Sequence, residues 1–331
     1  MSVFESVCLL LGGVGVFLAG MKFMSDGLRE SALSRIKNAF LKLNDKPLAC
    51  YGIGASVTAV MQSSSASVVM CMGLADSGVL SVYQGSAFAL GARFGTTLTG
   101  ALVALSAFNV TPVFTTLGFF GIIGILASGN EKISALCKVF GGFGILFAGT
   151  ELMSLAVSSQ KQIADFFINM FVTVDFPPLL ILLGTLFTAV IQSSGATVGI
   201  LMTLISNGAI TLSQATFITV GATVGTTMTA VIASFGSKLS GKRIMLFHVL
   251  SSIIGALAVG SLYFIISPYV LPALETFTYK QWALVTFDVV YSLASSTFCL
   301  IFLPEISRFA CSRRFFARKP RINFYLSKRK G

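Results

Sequence analysis

The stretch Gln62-Ser63-Ser64-Ser65-Ala66-Ser67 returns 130 residues later as Gln192-Ser193-Ser194-Gly195-Ala196-Thr197. About 30 residues after each copy comes a second matched pair, residues 91–97 (GARFGTT) and 221–227 (GATVGTT), again offset by 130. Upstream, residues 12–20 (GGVGVFLAG) match 141–149 (GGFGILFAG), and Met24-Ser25 matches Met153-Ser154, both offset by 129. Blocks that recur in one order with a one-residue drift mark an internal duplication. Each unit reads as Gly-rich helix, amphipathic connector, QSS segment, GAxxGTT segment and apolar helix.

Composition sets the medium. Of 331 residues, 55% are hydrophobic and only 11% are charged. A soluble domain carries about 25% charged residues, so this chain cannot coat itself with charge, and a lipid-facing surface removes the difficulty. Residues 7–21, 112–128, 244–267 and 282–303 are long apolar runs, near the ~20 residues that a spanning helix needs. The run 7–21 lacks a basic segment before it and continues to Met24, so it reads as a retained helix rather than a signal peptide. The six cysteines (Cys8, Cys50, Cys71, Cys137, Cys299, Cys311) form no CxxC pair and read as packing residues. With His248 as the single histidine, a metal site built on several His ligands is excluded.

Counting crossings gives the topology. In each QSS segment an apolar run precedes the motif (48–61; 178–191) and a shorter one follows it (68–77; 198–206). Neither half can span alone, so each segment reads as a re-entrant helical hairpin with its polar QSS at the tip. The stretches 82–108 and 211–235 are long enough to span but are interrupted at GTT, which reads as a broken helix. Apart from its hairpin, each unit then crosses three times. An odd count turns the second copy over, and inverted repeats with discontinuous helices are the architecture of secondary transporters. The expected fold is therefore all-α integral membrane. It has inverted repeats over 1–130 and 131–267, an extra transmembrane helix over 268–305 and a basic cytoplasmic tail over 306–331.

Charge tests this layout. One side receives 25–47, 129–132, 236–243 and the tail; the other receives 1–3, 109–111, 156–176 and 268–280. Lys and Arg divide eighteen against two, with only Lys161 and Lys280 on the second side. The positive-inside rule then puts the amino terminus outside and the carboxyl terminus in the cytoplasm. The net charge of +11 is concentrated in the tail, where nine of the 23 basic residues lie. Such a tail answers an anionic lipid leaflet rather than a nucleic acid.

Non-helical backbone at membrane depth survives only where it faces protein or water. That makes Gln62, Ser63, Ser64, Ser65 and Ser67, with Gln192, Ser193, Ser194 and Thr197, site candidates. Hydroxyls and freed amides at a helix start bind an anion. Carbonyls with Ser, Thr and Gln oxygens suit a hard cation such as sodium. The competing account is ordinary Ser/Thr bonding between membrane helices. Gly91/Gly95 and Gly221/Gly225 read equally well as GxxxG packing faces, but packing leaves Thr96, Thr97, Thr226 and Thr227 unexplained, as well as Thr99 and Thr229.

The paired QSS motifs and their GAxxGTT partners resemble the type II sodium-phosphate cotransporter family, over nearly the whole chain through about residue 305. The resemblance implies a sodium-coupled carrier of inorganic phosphate in a bacterial cytoplasmic membrane, with no cofactor beyond sodium as coupling ion. Carried over by position, it implicates Gln62, Ser63, Ser64, Ser65, Gln192, Ser193 and Ser194 in phosphate binding. Thr96, Thr97, Thr226 and Thr227, with Ser67 and Thr197, fall to sodium. From the resemblance, the cytoplasmic regulator-like domain of many bacterial relatives is expected to be missing, with a short basic tail in its place.

One position departs from the pattern. Where the family holds Asn, this chain has Arg93 in the first copy and Thr223 in the second. An arginine at membrane depth is costly and functional by default, and its planar fork suits phosphate. Three roles stand open: a phosphate ligand, a tethered cation in place of sodium, or a partner of Asp76 or of an aqueous vestibule. Lys22 and Glu151 read as snorkelling residues, Asp288 as bonded to a hydroxyl with a coupling role as the alternative, and His248 as a satisfied structural residue rather than a proton relay. Alternatives to the sodium-coupled carrier are an uncoupled carrier or exchanger of phosphate or another oxyanion, an anion channel, and a membrane-embedded hydrolase. The last lacks a GxSxG elbow and a Ser-His-acid set. A homodimer through the last helix or the GxxxG faces is compatible with the sequence.

Overall fold

The computed structural model describes residues 3–41, 46–108, 110–158 and 176–312. Lys42, Lys161 and most of the basic tail lie outside them. The described chain is helical. In order run α1 Val3–Leu41, α2 Pro47–Met61, α3 Ser64–Asp76, α4 Val82–Gly95, α5 Thr97–Ala104 with a 3-10 turn Leu105–Phe108, α6 Thr111–Ala127 and α7 Glu131–Ser158. Then come α8 Pro177–Ile191, α9 Ser194–Ser206, α10 Leu212–Gly225, α11 Met228–Ser234, α12 Leu239–Glu275, α13 Lys280–Ile301 and α14 Leu303–Ala310. Six helical stretches are long and apolar enough to cross a membrane. At 17 residues, α6 sits at the lower limit for a span. Large apolar side chains such as Phe120, Leu126, Val190, Leu257 and Ile265 stand exposed on the outside, as a lipid-facing wall requires. This is an all-α integral membrane protein.

The same local devices build both halves. Prolines at the first turn start α2 and α8 (Pro47; Pro177, Pro178), where a missing N–H costs nothing. Capping boxes Ser81/Gln84 and Thr211/Gln214 start α4 and α10. Positive-φ Gly78 and Gly208 turn the chain just before them.

Glycines set how closely the helices approach. A Cβ on Gly91 would collide with the carbonyl of Tyr51, and one on Gly221 with that of Ile181, its repeat mate. The GxxxG faces therefore do pack α4 on α2 and α10 on α8. Between the halves, a Cβ on Gly20 would strike the backbone of Leu146 and one on Gly149 that of Phe17; Gly13 meets Met153 and Gly142 meets Met24. Contacts rise along α1 as they fall along α7, so the two equivalent helices pack antiparallel. Each contact is matched by the contact between repeat mates, which is the self-complementary pattern of a two-fold pairing.

Three expectations need correction. The connector after Met24 is not separate, because α1 runs on unbroken for 39 residues. Its lower part has a buried face, Ala32, Ile36 and Phe40, that packs with residues of α2 to α4. The break at GTT stands as expected, between α4 and α5 and between α10 and α11, and takes the form of a tight turn. Thr96, Thr226 and Thr227 keep right-handed helical angles, and each hydroxyl donates to a carbonyl one turn back. The boundary at 267/268 falls inside α12, which continues through Pro268 and Pro272 to Glu275. Pro268 cannot bond the carbonyl of Phe264, and Ser267 Oγ takes over that acceptor at 2.9 Å. The tail does not begin at 306, since α14 packs Leu303, Ile306 and Ala310 into a core cluster with Leu90 and Phe247.

Candidate functional site

The tips of the two hairpins share one geometry. Gln62 and Gln192 sit at φ 51° and 60° and are the only non-glycine residues with positive φ among those described. This left-handed conformation costs an L-residue about 1–2 kcal/mol, and both copies keep it. It ends α2 and α8 with amide bonds to Thr58 O (2.7 Å) and Thr188 O (2.6 Å). The chain then starts the next helix at once. Ser63 and Ser193 are the N-caps of α3 and α9, and each hydroxyl accepts from the amide three residues on, Ala66 N and Ala196 N, at 3.2 Å. The amides of Ser64, Ser65, Ser194 and Gly195, in the first turns that follow, have no acceptor within their own helices.

Two adjoining cavities lie between these tips. The outer one, of about 300 Å³, is walled by Gln62, Ser63, Ser65, Gln192, Ser193 and by Lys22, Asp26 and Arg29 of α1. The inner one is walled by Arg93, Thr97, Thr223, His248 and Asp288. Ser64, Ser194, Gly195, Thr96 and Thr226 line both. The structure thus brings every expected anion-site residue to one or other cavity. Of the expected cation-site residues it brings Thr96, Thr97 and Thr226. Thr227, Ser67 and Thr197 line neither; Thr197 Oγ1 instead shares a hydrogen bond of 2.9 Å with Thr188 Oγ1.

Arg93 is 7% exposed. Its guanidinium donates to Ser252 Oγ of α12 (2.5 Å) and Ser295 Oγ of α13 (3.3 Å). The partnership with Asp76 does not form. Asp76 caps the start of α12, accepting from Gly241 N at 2.6 Å and Lys238 N at 2.7 Å. A carboxylate there meets the positive end of the helix dipole.

The threonines after each GxxxG face spend their protons inward. Thr97 Oγ1 donates to Phe94 O at 2.9 Å and Thr96 Oγ1 to Ala92 O at 3.1 Å. A hydroxyl whose proton is committed to a carbonyl turns its lone pairs outward, and these favour a cation or a second donor.

Sequence reading missed part of the wall. His248 is not a satisfied structural residue: it is 5% exposed, lines the inner cavity, and its Nδ1 has no partner. Asp288 does meet a hydroxyl, Ser292 Oγ at 3.4 Å, but it faces the cavity as well. Both Ser292 and Ser295 come from α13, the helix that stands outside the duplication. Its signal was available: Asp288, Ser292, Ser295 and Cys299 fall at helical spacing and make one stripe of an otherwise apolar segment. Among the described residues, no three or more His, Cys, Asp or Glu gather as a metal site would need.

Helices that span a bilayer and helix starts that converge on an internal polar cavity define a membrane transporter class. The Na+/Pi-cotransporter family model matches residues 16–155 and 168–272, and the chain belongs to that family. It is 32% identical over 244 residues to an uncharacterized protein, YqeW, of Bacillus subtilis (strain 168), covering 72% of this chain and 76% of that one. It is 27% identical over 312 residues to YjbB of Escherichia coli (strain K12), provisionally named an inorganic phosphate export protein, covering 92% of this chain and 53% of that one. The chain therefore spans about half the length of that relative. No solved structure matches it.

Proposed function

We propose that this protein carries inorganic phosphate across a membrane by alternating access, with sodium as the coupling ion. One observation carries the reading: the N-termini of α3 and α9 meet at Ser64 and Ser194, in the inner cavity that Arg93 also lines. Helix starts and a planar cation together match a tetrahedral oxyanion. Arg93 and the free amides of both tips hold phosphate. Thr96, Thr97 and Thr226 offer lone pairs to sodium. Family membership and the relative named for phosphate export support the substrate.

The antiparallel pairing of α1 with α7 supports repeats inverted across the membrane, and the charge asymmetry supports a cytoplasmic carboxyl terminus. In that orientation the outer cavity, with Lys22, Asp26 and Arg29 at its rim, faces the cytoplasm. A second reading has one observation in its favour. Two serines fix Arg93 in the cavity wall, so it can act as a tethered cation that replaces a sodium ion.

Radiolabelled phosphate uptake into proteoliposomes, with and without an inward sodium gradient, separates the two readings in the native chain and in Arg93→Asn. Native uptake that requires sodium supports the coupled carrier. Native uptake indifferent to sodium, with sodium dependence appearing in Arg93→Asn, supports the tethered cation. Phosphate uptake in no arm overturns both.

A further inference from the structure

The inner cavity holds three ionisable side chains from three helices, and the reading above uses one. Arg93 of α4 has its guanidinium committed to two serines. His248 of α12 presents an unpartnered, buried Nδ1. Asp288 of α13 accepts one long hydrogen bond, from Ser292 Oγ at 3.4 Å, and none of the ion pairs among the described residues involves it. Its Oδ2 lies 3.9 Å from where a Cβ would stand on Gly100 of α5. Gly100 and Asp288 both line the cavity.

An unpaired carboxylate at membrane depth is costly, and proteins retain one where it exchanges a mobile cation. The surroundings select which cation. A metal ion asks for several oxygen donors together, and one hydroxyl is what stands beside Asp288. Arg93, in the same cavity, repels a second fixed positive charge. A proton needs a single oxygen.

We propose that Asp288 is the proton-binding group of the phosphate chamber, taking a proton from the aqueous side as phosphate binds and releasing it as phosphate leaves. The proposal rests on the phosphate reading. Protonated, Asp288 leaves the oxyanion facing Arg93 and a neutral carboxyl. Ionised, it sets a negative charge against the substrate. The other ionisable groups lining the chamber are Arg93 from α4 and His248 from α12; Tyr291 of α13 is buried behind the wall, near enough to Arg93 and Asp288 to feel their charge. The helices α5, α9 and α10 present hydroxyl and apolar groups there, among them Thr97, Ser194, Val198 and Thr223.

The test is equilibrium binding of radiolabelled phosphate to the purified full chain at a low and at a saturating sodium concentration, from about pH 5.5 to about 8.5. Native protein is compared with Asp288→Asn and His248→Gln. Phosphate's own ionisation is common to all three, so differences between profiles belong to the protein. Affinity of the native chain should fall with rising pH by about tenfold more than that of Asp288→Asn, whose amide copies the protonated acid in shape and charge. At the acid end the two should bind alike. A phosphate-induced infrared band of a protonated carboxyl should be present in the native protein and missing in Asp288→Asn.

Superposing profiles overturn the proposal. So does weaker binding at every pH together with a lost response to sodium, which makes Asp288 a sodium ligand. A profile flattened by His248→Gln instead puts the proton on the imidazole. If the native chain binds no phosphate at any pH, the transport reading fails and takes this one with it. Phosphate binding with superposed profiles removes the proton alone.

Discussion

The two hairpin tips share a backbone and differ in their chemistry. Both turn through a left-handed glutamine, both cap the next helix with serine, and the helix leading into each packs against a GxxxG face. Gln62 is nonetheless buried and donates to Ala59 O, while Gln192 is exposed. The first tip is tied to α1, where Ser25 Oγ donates to Met61 O at 2.5 Å. The repeat mate of Ser25, Ser154, bonds Asn207 instead. The first repeat supplies Arg93 to the cavity, and the second supplies Thr223. The scaffold is duplicated, then, while charge and tethering are not. Backbone positions carry the symmetry, and side chains at three or four places carry the departure from it.

The largest expected effect lies in the scaffold and should be equal on both sides. Gly91→Val and Gly221→Val each push a branched side chain into a neighbouring carbonyl, at a cost above about 4 kcal/mol. Both variants should lose the monodisperse peak in detergent size exclusion. If one survives, the packing equivalence of the two faces fails. Next comes the charge. Arg93→Thr makes the first repeat resemble the second and should weaken phosphate binding about a hundredfold, against about twofold for Thr223→Ala. Equal losses in direct binding would dissolve the contrast. Third, Ser64→Ala and Ser194→Ala should each lower uptake about tenfold at unchanged membrane abundance. Unchanged uptake in both would remove the tips from the site.

How much of this was legible depended on what each residue had to do. The duplication showed because glycines at backbone contacts and serines at helix caps tolerate few substitutes, so Gly91/Gly221 and Ser63/Ser193 kept their identity across both copies. Arg93 showed because a charge inside an apolar segment is rare. The inner wall did not show as readily. A serine in a membrane helix is ordinary, so Ser292 and Ser295 attracted no notice one at a time. The role of α13 depends on its lodging against both halves of the molecule, and that placement is tertiary. The end of α12 lies beyond the apolar run 244–267, and only Ser267 shows how the carbonyl that Pro268 leaves free is satisfied. Asp76 could not be assigned from sequence because its partners, the amides of residues 238 and 241, are more than 160 positions away.

The smallest effect bears on motion. If the Ser25–Met61 bond holds the first tip against α1, removing it should loosen that tip alone. One interhelical hydrogen bond in a membrane protein contributes about 0.6 kcal/mol, so the change is a shift in local opening and leaves the fold intact. Amide exchange at residues 63–66 should quicken about two- to threefold in Ser25→Ala, with residues 193–196 unchanged. The mirror variant, Ser154→Ala, should leave both tips as they were, since its bond goes to Asn207 at the far end of α9. Should Ser25→Ala speed exchange equally at both tips, the hairpins move as one body around the cavity. Alternating access would then come from a concerted shift rather than from two gates that open in turn.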